Sequence, residues 1–584
     1  MAHSNAQASS RNSDVAFAIV GTGGKGAITA GAILLEAAGK SGWHGLSTRS
    51  VGPQIRGGEA AALVRLSTRP AFCMARDFNI LVALDWKNAD RFITAMPVAP
   101  GGIVIADPGA GAPPQAVLEA DCTIVECPIG EMARAIDGGR ENMIAVGIVA
   151  QLIGLGEEEV MQVVASKLGR KGPQAVETGR VCLVAGMQAA EAMRPAFPLE
   201  PAPAHDSRRW LITGNEAMGQ GLMRGGVRFA AAYPITPATE ILEYLAPALA
   251  QTGGALLQAE DELASINMII GASFGGRPSV TATSGPGLSL MMEGLGLAAA
   301  SETPVVVVDV MRVGPSTGIA TKSEQSDLNI AVHGFHGDAP HVVMAPLSVS
   351  DCLFTGQWAV HVAESLQTPV IVLSDQSIGQ ARVLIDRPAD VQFLTRRKTM
   401  EAGDTAYQRY AITADGVSPM AIPGMPGGQY TADGLTHNPR GAPSSTARDQ
   451  RTQMDKRAAK IDGFDFGDHW GVVEGEANAD IVVLTWGSMA GAAREALAGL
   501  AEKGIKARLV AVRLVSPLPC AALEAALAGA RRILVVEQNR SGQFLRLLRS
   551  EMDLAGEVRH LGREGPDLIR PDEIAAHIRD WSAS

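Results

Sequence analysis

A chain of 584 residues, 46% hydrophobic and only 19% charged, is long enough for several domains and suits compact α/β layers rather than disorder. The formal net charge of −11, with no basic run, argues against a nucleic-acid partner. No apolar stretch of membrane-spanning length is free of Gly, Pro or charge, so a protein with no membrane partner is expected, cytoplasmic by default.

In chain order, residues 1–14, "MAHSNAQASSRNSD", lack the apolar core of a signal peptide and read as a disordered tail. A first domain, 15–194, opens with the strand "VAFAIV" and the turn "GTGGKG". Gly21, Gly23 and Gly26 have G-x-G-x-x-G spacing, and a helical stretch follows at once. With Gly24, such glycines let backbone N–H groups and a helix N-terminus approach an anion. An NAD site needs an acid about twenty residues on, and none precedes Glu59. Lys25 stands before Gly26, so the turn is not a P-loop either. Two readings stay open: a tight turn without a ligand, and phosphate or coenzyme contact assisted by Arg56.

The cysteines are Cys73, Cys122, Cys127, Cys182, Cys352 and Cys520. "CTIVEC" has the look of a strand, and no iron–sulfur or zinc spacing is present, so all read as structural thiols of a reducing compartment.

Proline-rich residues 195–207 form a linker, after which a middle domain, 208–386, is the most regular part. The runs "RRWLITG", "RFAAAYP", "ALLQAE", "PSVTATS", "TPVVVVDVM" and "TPVIVLSD" alternate with helical stretches, as expected of a parallel, doubly wound sheet. Ligands of such sheets bind beyond the carboxyl ends of the strands. In "FAAAYPITPATEI" the prolines should stop a strand at Tyr233 and display Thr236 on a stiff turn. Glu262, the "SGPG" turn from Ser284 to Gly287, and Arg312 fall at equivalent strand ends. Each has a plain alternative: a helix-capping threonine, a helix N-terminal acid, a loop-closing turn, a surface arginine. Convergence on one edge favours a shared ligand. Residues 387–476, rich in Gly, Pro, Asp and Asn, read as a long connecting segment, and 477–584 as a last domain.

"YPITPATEI", "QAEDELASINMIIGASFGG", "TSGPGLSLMMEGLGLAAASETPVVVVDVMRVGPSTG" and "TKSEQSDL" resemble the α subunit of 2-oxoacid:ferredoxin oxidoreductases. "GTGGKG" with "RGGE" is similar to the γ domain often fused in front of it. "VLTWGSMAGAAREAL", "RLVSPLP" and "VVEQNRSGQ" resemble its transketolase-like C-terminal domain. The resemblance implies a multi-domain α/β chain. Its centre would be a doubly wound pyrimidine domain of the thiamine-diphosphate fold, between an N-terminal γ-type α/β domain and a transketolase-C-like α/β domain.

By the same resemblance, Glu262 hydrogen-bonds the aminopyrimidine ring nitrogen of thiamine diphosphate and is the catalytic acid. Tyr233, Pro234, Ile235, Ser284, Gly285 and Gly287 line the cofactor, Thr236 and Arg312 meet the oxoacid, and Gly21, Gly23, Gly24, Gly26 and Arg56 meet coenzyme A, a substrate. The GDG motif for Mg2+ and diphosphate and the cysteines for a [4Fe-4S] cluster are missing here; in the family they belong to a β subunit. An α2β2 assembly reducing ferredoxin is therefore implied, with no metal held by this chain. The γ–α fusion points to 2-oxoglutarate, with pyruvate or a branched-chain oxoacid as the alternative. A non-catalytic nucleotide-binding or regulatory module is a further alternative. The stretch "AYQRYAITADGVSPMAIPGMPGGQY" would lie ordered against the active site, whereas "GLTHNP" departs from the family and leaves His437 open between a role there and a solvent-facing loop.

Overall fold

The protein was analysed as a computed structural model that describes residues 12–51, 58–87, 89, 93, 96–202, 209–391, 393, 397–401 and 406–583. Its strands are, in order, β1 (Asp14–Thr22), β2 (His44–Val51), β3 (Glu59–Ser67), β4 (Phe78–Ala83), β5 (Val98–Ala106), β6 (Cys122–Glu126) and β7 (Arg209–Thr213). They continue as β8 (Phe229–Ala232), β9 (Ala255–Gln258), β10 (Ser279–Thr283), β11 (Val305–Met311), β12 (Val342–Met344), β13 (Pro369–Asp375) and β14 (Arg382–Asp386). The last are β15 (Gly471–Gly475), β16 (Ile481–Trp486), β17 (Arg508–Val512), β18 (Leu514–Ser516), β19 (Arg532–Glu537) and β20 (Glu557–Gly562).

The chain forms two compact units, Met1–Ile212 with Ala381–Pro388, and Thr213–Gln380 with Ala389–Ser584. In the first, a sheet runs in the order β6-β5-β4-β1-β3-β2-β14-β7. β1 is apolar along its whole middle because it is central, pairing antiparallel with β3 and parallel with β4. One core of this unit gathers the helices Ala27–Lys40 and Glu141–Ile153 with β1 and β3. Helix Glu141–Ile153 also meets helix Pro173–Ala190 through glycines. A methyl at Gly147 would lie 2.1 Å from the Leu183 carbonyl, so the two backbones touch. "CTIVE" is strand β6, as its pattern suggests.

The second unit holds two sheets. One runs β18-β12-β13-β11-β10-β8-β9 and the other β15-β17-β16-β19-β20. In the first of these every pairing from β12 to β9 is parallel, and β18 alone is antiparallel, on β12. β11 and β13 are buried throughout, which their unbroken apolar runs require.

Two expectations need correction. "RRWLITG" is indeed a strand, β7, but it closes the edge of the first unit's sheet rather than joining the parallel one. Its Arg209 explains the choice: Nη2 lies 2.9 Å from His44 Nε2 and Nε 3.5 Å from Asp386, groups of the two strands nearest it. The segment 387–476 contains a sixteen-residue helix, Ala447–Asp462. Its buried face is Gln453, Lys456, Arg457, Lys460 and Ile461, so apolar periodicity never marks it.

Candidate functional site

The order β11-β10-β8-β9 with parallel registers brings four chain turns to one edge of the sheet. Tyr233–Thr236 leaves β8, Glu262 follows β9, Ser284–Gly287 follows β10, and Arg312 follows β11. All four predicted groups are therefore neighbours by topology.

β8 stops at Ala232, where the prolines begin. The Ile235 carbonyl accepts from the N–H groups of Ala238 and Thr239 at 2.8 and 3.1 Å, closing a tight turn. Asn215 Nδ2 braces the turn from inside, donating to the Pro237 carbonyl at 2.9 Å and to Glu240 Oε2 at 3.0 Å. Tyr233 and Thr236 are exposed, Pro234 and Ile235 half-buried. Thr236 does not cap the next helix: the N-cap of Thr239–Gln251 is Ala238, with no side-chain bond.

Glu262 is the first residue of helix Glu262–Phe274, but the capping is done by Asp261, whose Oδ1 accepts from the Ala264 N–H at 2.6 Å. Glu262 is thus spared for something else. It is 7% exposed, and no described residue donates to its carboxylate. It lies against Gly287, where a methyl would come within 2.7 Å of its Cγ and Oε1 and 2.0 Å of Thr283 Oγ1. Ser284, at the N-terminus of helix Gly285–Ala300, keeps a buried Oγ without a described partner.

Arg312 is 6% exposed, and Nη1 donates to the Thr236 carbonyl at 2.6 Å. Its buried Nε has no acceptor among the described residues. Burial lowers the guanidinium pKa, while Asp327 and Asp309 act against that. Neither aspartate is marked by the motifs, although one signal was available: an acid inside the otherwise apolar run "VVVVDVM".

The glycine-rich turn lies in the first unit. Asp85 Oδ2 accepts from Thr22 N–H and Oγ1 at 3.1 and 2.7 Å, and Lys25 Nζ pairs with Glu141 at 2.6 Å. Gly26, at φ +85°, opens helix Ala27–Lys40, whose first turn has no acid and no side-chain cap. A side chain at Gly26 would strike Asn142 Nδ2 at 2.6 Å, whereas Gly24 faces open space. Asp85 is a third residue that the motifs do not mark. Arg56 lies outside the described residues.

The stretch 406–430 does not lie where the resemblance puts it. Ile422 lies against Gly276, the Tyr430 ring is tilted against that of Phe274 at 5.7 Å, and Arg409 Nη2 donates to the Glu302 carbonyl at 2.7 Å. These are the C-terminal ends of helices Glu262–Phe274 and Gly285–Ala300, the ends opposite Glu262 and Ser284. His437 is 1% exposed and its ring lies 3.8 Å from that of Tyr410, which excludes a solvent-facing role.

Among the described residues no group of three or more His, Cys, Asp or Glu side chains is placed to hold a metal ion, and no helix is long and apolar enough to cross a membrane.

Comparison with known proteins accords with this layout. The model for the thiamine-diphosphate-binding domain of pyruvate flavodoxin/ferredoxin oxidoreductases matches residues 220–457. That for pyruvate ferredoxin/flavodoxin oxidoreductase matches 16–189, and that for core domain II of pyruvate:ferredoxin oxidoreductase matches 479–574. The 2-oxoglutarate synthase subunit KorA of Methanothermobacter marburgensis is 36% identical over 64% of this chain and 99% of its own length. The 2-oxoglutarate oxidoreductase subunit KorA of Mycobacterium tuberculosis is 35% identical over 76% of this chain and 68% of its own. A solved 2-oxoglutarate:ferredoxin oxidoreductase from Magnetococcus marinus, with 2-oxoglutarate, coenzyme A and succinyl-CoA bound, superposes with a TM-score of 0.91 at 36% identity, covering 98% of this chain and all of that one.

Proposed function

Since the chain belongs to the 2-oxoacid:ferredoxin oxidoreductases, as an α subunit of the 2-oxoglutarate type with the γ domain fused in front, we propose that it carries half of a site for the coenzyme-A-dependent oxidative decarboxylation of 2-oxoglutarate. The products are succinyl-CoA and CO2, and two electrons pass to ferredoxin through a [4Fe-4S] cluster on a β subunit. That subunit also supplies Mg2+ and the diphosphate contacts, in an α2β2 assembly.

The observation that carries this reading is the buried, donorless carboxylate of Glu262 beside Gly287, on the edge that Thr236 and Arg312 share. The residues fit an aminopyrimidine. Glu262 offers a carboxylate to a ring N–H, the absence of a side chain at Gly287 lets that carboxylate lie against the start of the helix, and the Ser284 hydroxyl has no other described partner. Thiamine diphosphate, when bound, supplies a nucleophilic carbon and an electron sink. Glu262 holds the proton at the pyrimidine nitrogen, and its burial keeps water from competing for that bond. Arg312 receives the substrate's carboxylate on a planar fork, while the Thr236 hydroxyl is displayed on its braced turn toward the oxoacid. Tyr233, Pro234, Ile235 and Gly285 complete the cofactor's wall.

Coenzyme A is assigned to the first unit. Its phosphates would meet the uncapped N-terminus of helix Ala27–Lys40 behind Gly21, Gly23, Gly24 and Gly26, with Arg56 as the cation, because Lys25 is already paired with Glu141. The three parts of the chain, 15–194, 208–386 and 477–584, would then serve coenzyme A, the pyrimidine and the assembly respectively.

The test is reconstitution with the β subunit, followed by turnover with 2-oxoglutarate, pyruvate and branched-chain oxoacids at fixed coenzyme A and ferredoxin. Preference for 2-oxoglutarate, with succinyl-CoA as product, is expected. Preference for pyruvate would transfer the assignment to that substrate. A complex that binds thiamine diphosphate but turns over no oxoacid would leave a non-catalytic module.

A further inference from the structure

Behind Arg312 lies a pair of acids with no role in the reading above. Asp309 sits inside β11 on the face of Val305, Val307 and Met311, fully buried, in the core shared with Leu288, Leu328 and Ile371. Neither of its oxygens has a donor among the described residues. Asp327 stands just before helix Leu328–His333, with Oδ1 facing Ser326 Oγ at 3.2 Å and a buried Oδ2 without a donor among the described residues. Asp327 Oδ2 lies against the start of helix Gly285–Ala300, only 2.7 Å from where a Gly285 methyl would sit. Ser326 Oγ also lies 3.1 Å from the Arg312 carbonyl, which competes with Asp327 for its one hydroxyl proton, so one short segment touches both the arginine and the acid.

Two ionised carboxylates cannot share an apolar pocket, and a single buried one is costly without donors. Asp327 Oδ2 lies against Gly285, two residues past Thr283, the strand neighbour of Asp309, so the two acids flank the start of one helix, and burial without donors favours a proton held between them. We propose that Asp309 and Asp327 share one proton and act as positioning residues for Arg312, balancing its charge until a substrate carboxylate replaces them in that task. This rests on Arg312 being the oxoacid anchor.

The electrostatics give the proposal a sign. Burial, followed by the Asp327 charge, drives the Asp309 carboxyl well above the usual range. Burial also raises Asp327, to about 6; Ser326 and Asp309 oppose this, Glu324 adds to it, and Arg312 opposes it. Glu324 is the other acid facing the pair, and it accepts from the Gly314 N–H at 3.3 Å. Around neutral pH the pair carries one negative charge against the one positive charge of Arg312. When an anionic oxoacid takes the guanidinium, that negative charge becomes uncompensated, and the pair takes up a proton. Oxoacid binding is therefore linked to uptake of one proton, and affinity falls as pH rises through about 6.

Two measurements test this. On the isolated chain, infrared spectra at neutral pH should contain the carbonyl stretch of a buried protonated carboxylic acid, lost in Asp309→Asn; absence of the band from the wild type overturns the pair. On the reconstituted complex, the apparent KM for 2-oxoglutarate should rise up to about tenfold per pH unit above the midpoint, as one linked proton demands. Asp327→Asn should flatten that profile at unchanged kcat. Asp309→Asn, a neutral donor of the same shape, should keep the profile and move its midpoint to lower pH. A flat wild-type profile, or an unaltered one in Asp327→Asn, refutes the coupling. Arg312→Lys separates the two readings. If it raises KM while Asp327→Asn changes nothing, only the pair fails; if it leaves KM untouched, the anchor itself is wrong and the coupling falls with it.

Discussion

Arg312 Nη1 and the carbonyl oxygen of Thr236 lie 2.6 Å apart, 76 residues distant in sequence, and tie the end of β11 to the turn after β8. The bond orients the guanidinium without using its whole fork. Lysine keeps the charge and loses the planar geometry. Arg312→Lys is therefore expected to cost about 1.5–3 kcal/mol of substrate binding, the range for hydrogen bonds to charged groups. Initial-rate kinetics of the reconstituted complex should show KM for the oxoacid raised tenfold or more with kcat little changed. An unchanged KM would return Arg312 to a structural role.

Glu262→Gln keeps size and burial but cannot hold a negative charge opposite a ring proton. Since Asp261 does the capping, the helix should stand, and circular dichroism should match the wild type. Turnover should drop by about 10²–10⁴, the span of a positioned acid–base group. Deuterium exchange at the thiazolium carbon of bound cofactor is the decisive readout; wild-type exchange in the variant would sink the assignment.

Gly287→Ala tests the cradle from the other side. Its methyl would come within 2.0 Å of Thr283 Oγ1 and 2.7 Å of the Glu262 side chain. Overpacking of this kind costs about 1–3 kcal/mol, and here the displaced group is Glu262 itself. Calorimetric titration of the complex with thiamine diphosphate should show affinity reduced at least tenfold; tight binding would mean that the cofactor does not approach this glycine.

Glu302 governs stability rather than chemistry. It is fully buried, with Lys456 Nζ at 2.6 Å and Lys460 Nζ at 3.2 Å. Burial alone would raise its pKa, but Lys460, Lys456 and Arg409 overcome this and hold it at about 2. Glu302→Gln strands two buried ammonium groups and should cost about 3–5 kcal/mol in urea unfolding at neutral pH. Because the folded-state value is depressed, the contribution is fully present above the ordinary 4.5 and disappears as pH falls toward 2. The gap between wild type and variant should close over that window. A variant as stable as the wild type at pH 7 would show the cluster to be dispensable.

What could be read from sequence follows from what each element buries. β11 and β13 announce themselves because both faces are apolar along most of their length, and the residues just past them are then placed by topology. Helix Ala447–Asp462 is hidden because its inward face is mostly lysine, arginine and glutamine, satisfied by groups distant in sequence, among them Glu302 (154 residues away from Lys456), Ser418 and the Gln367 carbonyl. β7 was recognised as a strand, but its sheet depended on Arg209 meeting His44 and Asp386, which no local pattern encodes. Asp309 was visible as an anomaly in "VVVVDVM", yet its meaning needs Asp327, which only the fold brings near.

β18 comes from the C-terminal stretch of chain but pairs with β12, matching Val343 to Ser516 and Met344 to Leu514. Gln325 strengthens the seam, receiving the Gln538 N–H on its Oε1 and donating its own N–H to the Gln538 carbonyl, both at 2.8 Å, while Arg513 grips Asp351 at 2.9 and 2.8 Å. β18 follows β17, a strand of the five-stranded sheet, after the single residue Arg513, so the two sheets of this unit are tied through one short stretch of chain, and losing it would bare the edge of β12. Scanning calorimetry should find them melting in a single endotherm, and a chain cut before β15 should expose β12 to self-association instead of yielding a tractable fragment.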